Sequence, residues 1–387
     1  MYTLLIILIY LAFISLGLPD SLLGSAWPIM HQDIGVNISF MGILSMIVSG
    51  GTIISSLISD KLTRKYGTNK VTTFSVFLTA IALLGFSYAK NVWIIIACSI
   101  PYGLGAGAID AALNNYVAIH YSSKHMSWLH SFWGVGTIIS PFVMSYALTN
   151  LSWSAGYRII SIIQFAIAII LLFTLNIWKI NSHKVTDDIH STHSLGLFKA
   201  IKIKGVPSLL LGFFAYCAAE CTAMSWSCTY LVKAKGIDEP TAAGYASLFF
   251  IGMTLGRFVA GFFMDKLGDK KMIILGTSII AVGITIMLIP ISSNLLTLIG
   301  LITIGLGCAP IYPCIIHSTP YNFGEENSGA IIGIQMASAY CGATFIPTLF
   351  GLVSEQIGFE IFPIYMGLFF ALMITMVIKT FKLTSKS

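Results

Sequence analysis

Residues Gly256-Arg-Phe-Val-Ala-Gly261-Phe-Phe-Met-Asp265-Lys266-Leu267-Gly268-Asp269-Lys270 decide the fold: an apolar run ends abruptly in a cluster of charges of both signs. Moved back by 205 positions, Gly256 falls on Gly51, Asp265-Lys266-Leu267 on Asp60-Lys61-Leu62 and Lys270 on Lys65. A second match, at an offset of 206, sets Gly136-Thr-Ile-Ile-Ser-Pro141 against Gly342-Ala-Thr-Phe-Ile-Pro347. Two repeats of one plan, each apolar apart from its charged corners, are the mark of an internally duplicated membrane protein.

Composition agrees. Of 387 residues 56% are apolar and only 9% charged, with a mean hydropathy of +0.87, a balance no water-soluble domain of this length shows. A helix needs about 20 mainly apolar residues to cross the hydrocarbon. Breakers and hydropathy give runs near 3–30, 38–60, 70–89, 91–119, 127–149, 153–178, 206–232, 241–264, 271–290, 294–317, 328–350 and 359–380. The first run has no basic leader and carries Asp20 in its middle, so it reads as a span and not a signal peptide. The formal charge of +6 comes from loop lysines and forms no basic face, which excludes a nucleic-acid partner. All seven cysteines lie in apolar runs with no Cys-x-x-Cys pair, so they read as packing residues and neither a disulfide nor a zinc site is expected.

With the N-terminus inside, sixteen basic residues fall in inside loops or the C-terminal tail, against four outside, Lys90, Arg158, Lys233 and Lys235. The positive-inside rule therefore puts both termini in the cytoplasm. The longest loop, 179–205, holds five lysines, Asp187, Asp188, His183, His190 and His193; it reads as a solvated linker and not a metal cluster. The expectation is an all-α polytopic membrane protein, twelve transmembrane helices in two pseudo-symmetric six-helix bundles, 1–178 and 206–387. It is expected to be a monomer, multi-pass in a cell membrane, from its short loops a bacterial cytoplasmic one.

The run from Gly261 to Lys270 resembles the loop signature of the major facilitator superfamily, and Ser56 to Lys65 is its degenerate copy, with Ser56 and Thr63 where the family usually has glycine. The resemblance implies a gate: Asp60 and Asp265 paired with Lys61, Arg64, Lys65 or Lys266 as a cytoplasmic latch. A narrower likeness lies in Gly103-Leu-Gly-Ala-Gly107-Ala-Ile-Asp110-Ala-Ala-Leu-Asn114. It is similar to the fucose-permease branch, in which a carboxylate precedes an asparagine by four residues and the first span also carries an aspartate. Asp110, Asn114 and Asp20 match; Asp110 replaces a glutamate and Asn115 a proline.

Three acids lie well inside spans: Asp20, Asp110 and Glu220. A charge near the bilayer centre costs about 2.5 to 3.5 kcal/mol, so such groups usually face a polar cavity and are functional. A carboxyl group in low dielectric keeps a proton more readily than one in water, which makes these three the proton-coupling candidates. Asp20 follows Pro19, which cannot donate a backbone hydrogen bond, so the first span should open beside the acid. Trp27 lies seven residues on, on the same face.

Tyr216 precedes Glu220 by one turn and Trp226 stands on an adjacent face; His130 and Gln335 occupy the fifth and eleventh spans. Asn114, Asn115, Gln164 and Gln335 can bridge hydroxyls while Trp27, Trp133 or Trp226 packs on a ring, which favours a sugar or polyol substrate. Asn115 lies about 100° round the helix from Asn114, so one of the two can serve a neighbouring helix instead. His130 can cap its helix or face the vestibule. Arg257 is the one basic residue in a span; it either pairs with a carboxylate in the gate or binds an anion.

Taken together these features point to proton-coupled symport of a monosaccharide or small saccharide by alternating access, with H+ as coupling ion and no cofactor. The competing function is a proton antiporter exporting drugs or metabolites. A membrane enzyme or receptor would need a catalytic cluster or a cytoplasmic domain, and neither is visible.

Overall fold

A computed structural model describes residues 2–37, 40–182, 196–237, 239–289 and 294–384. Among the described residues there is no strand. The first half holds α1 (Tyr2–Asp20), α2 (Leu22–Ile34), α3 (Phe40–Tyr66), α4 (Thr68–Ser87), α5 (Val92–His120), α6 (Ser123–Asn150), α7 (Trp153–Phe173) and α8 (Leu175–Ser182). The second holds α9 (Leu197–Lys202), α10 (Val206–Lys235), α11 (Glu239–Leu267), α12 (Asp269–Leu288), α13 (Asn294–Cys308), α14 (Ile311–Phe323), α15 (Glu325–Ile357) and α16 (Phe362–Thr384). Twelve helical stretches among the described residues are long and apolar enough to cross a membrane; the first joins α1 to α2 and the tenth α13 to α14. The expected twelve helices are therefore present.

Several helices run past the edges that hydropathy suggested, because backbone hydrogen bonding continues after the side chains turn polar. The second span reaches Tyr66 through Lys61 and Lys65, and the eleventh covers 33 residues. Of the linker, 183–195, with all three of its histidines, lies outside the described residues, while α8 and α9 stand at its two ends. The chain divides into two compact units, Met1–Tyr116 with Phe132–Gly196, and Val117–Ser131 with Leu197–Ser387. The turn joining α5 to α6 thus belongs with the second half of the sequence.

The first span breaks where Pro19 suggests. α1 ends at Asp20, and α2 begins at Leu22 after a one-residue turn at Ser21. A neighbouring helix serves the exposed backbone: Ser140 of α6 donates to the Leu18 carbonyl, and Ser21 in turn donates to Thr137 O at 2.9 Å. Such rescue is what lets a helix open inside lipid.

Close crossings rest on missing side chains. A Cβ at Gly103 of α5 would strike the carbonyl of Val48, and one at Gly107 that of Thr52 on α3. The contact lets Ser56 donate to Gly107 O and Ser59 to Ala108 O, each at 3.2 Å. Ser56, which stands where the family usually has glycine, is fully buried and turns the crossing into a hydrogen-bonded one, as small polar residues do between membrane helices. The second unit repeats the device where Gly252 of α11 meets Ile302 O and Gly305 of α13 meets Phe249 O.

Overpacking such a crossing costs about 1 to 3 kcal/mol. Gly107→Val should therefore lower the thermal transition of the detergent-purified protein, whereas Gly42→Val, at a glycine with open space around it, should leave it unchanged.

Candidate functional site

Each unit carries one polar centre, and each lies at a broken span. In the first unit Asp20 is exposed although it ends a helix in mid-span. Tyr102 of α5 donates its hydroxyl to Oδ1 at 2.8 Å, and the Trp133 indole N–H of α6 donates to Oδ2, also at 2.8 Å. Gly17 permits this, since a Cβ there would run into the backbone of Trp133. A carboxylate offers about four lone-pair sites. Two are taken by these neutral donors.

The other residues singled out in this half are less open. Asp110 and Asn114 do meet: the amide donates to Asp110 Oδ1 at 2.8 Å and to its backbone carbonyl at 3.0 Å, but both side chains are buried. Asn115 is half-buried. Gln164 is fully buried and donates to the Ser15 carbonyl, which makes it a link between α7 and α1. Trp27 is 2% exposed and leans against His31 with ring centroids 6.1 Å apart, so its face is covered by its own unit and offers no platform there.

In the second unit Arg257 of α11 places a guanidinium nitrogen 2.8 Å from Glu220 Oε1 on α10, with both residues buried. The Tyr216 hydroxyl lies 2.8 Å from the same oxygen and 2.9 Å from the carbonyl of Cys308, and can donate to one of them at a time. Cys308 ends α13 at the break in the tenth span, so the tyrosine serves a backbone group that the interruption exposes. His130 packs edge-on against Tyr312, centroids 4.6 Å apart. Arg257 thus takes the first of its two expected roles, pairing with a carboxylate, but the partner is Glu220 in the interior and not an acid of the loop. Glu220 in consequence carries a fixed countercharge.

Gln335 is fully buried and accepts from Thr319 at 3.1 Å. Trp226 is half-buried, and its indole N–H is given to Pro347 O at 2.8 Å.

Of the pairs expected for the loop latch, Asp60 with Arg64 is present, whereas Asp265 meets a hydroxyl and a backbone N–H. Asp60 pairs with Arg64 at 2.9 Å, one turn along the same helix, whereas Lys65 lies over the ring of Tyr66. Asp265 takes the hydroxyl of Ser122 at 3.0 Å and the backbone N–H of Lys124 at 3.2 Å. It therefore caps the start of α6, where a helix favours negative charge. Beside it, Asp269 accepts from Ser123 at 2.5 Å and from His317 Nδ1 at 2.7 Å, and His317 Nε2 lies 3.0 Å from the carbonyl of Tyr121. Ser123 Oγ also lies 2.8 Å from His317 Nδ1, so its one proton is shared between Asp269 and the ring.

Sequence reasoning missed Tyr102, Asp269 and His317. Asp269 was in plain view within the quoted signature, but its partners lie 146 and 48 residues away.

Comparison with known proteins gives a consistent picture. The family model described as Major Facilitator Superfamily matches residues 9–244 and 208–387. The chain is 20% identical over 393 residues to Bypass of stop codon protein 6 of Saccharomyces cerevisiae, covering 93% of this chain and 79% of that one. It is 22% identical over 373 residues to the glucose/mannose transporter GlcP of Bacillus subtilis, covering 95% and 92%. In three dimensions it is similar to the crystal structure of FucP in the outward conformation, with a TM-score of 0.76, 17% identity and 99% of both chains covered.

Removing one partner of a buried ion pair costs about 3 to 5 kcal/mol, because the other is left uncompensated. Glu220→Gln should lower the thermal transition strongly, and Glu220→Gln combined with Arg257→Gln should recover a large part of that loss. A double variant that loses as much as the two single variants added together would show that the pair is not coupled.

Proposed function

The chain belongs to the major facilitator superfamily, and on that premise we propose that it is a proton-coupled sugar symporter whose proton carrier is Asp20. The observation that carries this reading is the exposure of Asp20 in mid-span. Asp110 and Glu220 are buried, one bonded to an amide and the other to a guanidinium. Asp20 has neutral donors on both oxygens. As a carboxylate it binds a proton or a hydroxyl; once protonated it no longer brings a charge into the hydrocarbon, and the loaded carrier can change its side of access. Tyr102 and Trp133, both half-buried and oriented by their bonds to Asp20, supply the hydroxyl and the ring face that a pyranose requires. The likeness to a glucose/mannose transporter and to FucP supports the substrate class.

The positive-inside count assigns both termini to the cytoplasm. On that side the Tyr121–Lys124 turn, held by Asp265, Asp269 and His317, forms the latch, and its release accompanies the change of access. Asp60 with Arg64 is the counterpart in the first half of the sequence.

Two experiments test the reading. In energised vesicles, Asp20→Asn should abolish accumulation of labelled hexose against its gradient while exchange of preloaded sugar continues; accumulation that survives the substitution would remove Asp20 from the mechanism, and efflux driven by the same pH gradient would identify an exporter. For the latch, Asp265→Asn with Asp269→Asn should speed hydrogen exchange at the Lys124 amide about tenfold or more, with the amides of α7 unchanged.

A further inference from the structure

Where the α9–α10 turn, α12, α14 and α16 come together at the lysine-rich end of the second unit, a cavity of about 1000 Å³ lies open, with Lys204, Lys270, Lys271, Asn322 and Phe381 on its wall. A groove of about 550 Å³ continues from it and shares Ile203, Lys204 and Leu383; its other walls include Ile201, Pro207, Leu211 and Met376, with Lys202 and Lys379 at the rim. Polar chamber and apolar groove form one path along the side of the unit, and Leu211 is 42% exposed on it.

Three features give the chamber a preference for an anion. Its lysines take part in none of the three ion pairs among the described residues, although Lys270 leans over the Phe381 ring. Asn322 on its wall accepts from Thr384 at 3.1 Å, and its Nδ2 is buried with no hydrogen-bond partner. The start of α12 at Gly268, also on the wall, has no side-chain cap, so its first amides add partial positive charge. The chamber's three lysines outnumber its two acids, Asp269 and Glu326, so the wall keeps a net positive charge. Asp269 is bound by Ser123 and His317, and Glu326 accepts from Asn327 at 3.1 Å.

We infer that this path is a binding site for an anionic phospholipid, with the phosphate held by Lys204, Lys270 and Lys271 and an acyl chain lying in the groove floored by Pro207, Leu211 and Met376. Charge selects the headgroup, as basic pockets between membrane helices do. The apolar extension separates a lipid from a free phosphate, which would gain nothing from it.

Native mass spectrometry of the full-length protein in neutral detergent provides the test, with phosphatidylglycerol and phosphatidylcholine offered at equal concentration. The wild type should retain phosphatidylglycerol at least fivefold in excess. Lys204→Gln, Lys270→Gln and Lys271→Gln together should bring the ratio to near one, and Leu211→Gln should weaken retention of both lipids. The charge-matched control Lys90→Gln, Lys233→Gln and Lys235→Gln should keep the preference. Equal retention by the wild type, or a preference that survives the first triple variant, overturns the site. A preference abolished by millimolar inorganic phosphate overturns the lipid in favour of a soluble anion. Should the triple variant lose its thermal transition, Lys270→Gln and Lys271→Gln made singly must each reduce the ratio.

Discussion

A backbone amide in hydrocarbon has no water to bond, and this constraint organises the whole molecule. Helices satisfy it along their length, so the chain is helical wherever it is apolar. At the two places where a span is interrupted, other helices must supply the missing partners. Ser140 reaches the Leu18 carbonyl beside the first break, and Tyr216 reaches that of Cys308 beside the second. Those polar neighbours are also what makes each break habitable for an acid, Asp20 at one and Glu220 at the other.

The two centres nevertheless have opposite electrostatic characters. Glu220 is neutralised by Arg257 in a buried pair, where desolvation and attraction nearly offset each other and the arrangement is chiefly a constraint on geometry. Asp20 receives only neutral hydrogen bonds, which orient it without compensating its charge. A charge left in this condition within a span is either a cost or a function. The proposed transport cycle takes it as function, with the proton as the missing countercharge.

A similar contrast runs through the glycines and serines. Gly103 and Gly107 bring α3 and α5 close enough for Ser56 and Ser59 to bond across. Small residues thereby replace the hydrophobic effect, which does not act between helices already in lipid. On the lysine-rich side a cavity remains where the α9–α10 turn meets α12, α14 and α16.

How much of this could be read from the chain follows from the range of each effect. Span number, the break at Pro19 and the candidate acids are properties of single residues or of neighbours within a turn, because hydropathy and proline geometry are local; they were legible in the sequence. Which acid stays open was not, because it depends on partners brought in from other helices. Arg257 lies 37 residues from Glu220, Trp133 113 from Asp20 and Ser122 143 from Asp265. Trp27 and Gln164 have the residue types and helical positions of ligands, yet packing turned them inward. Charge can be counted along a sequence, but its compensation is settled only when distant spans meet, and that meeting made Glu220 a closed pair and left Asp20 free to react.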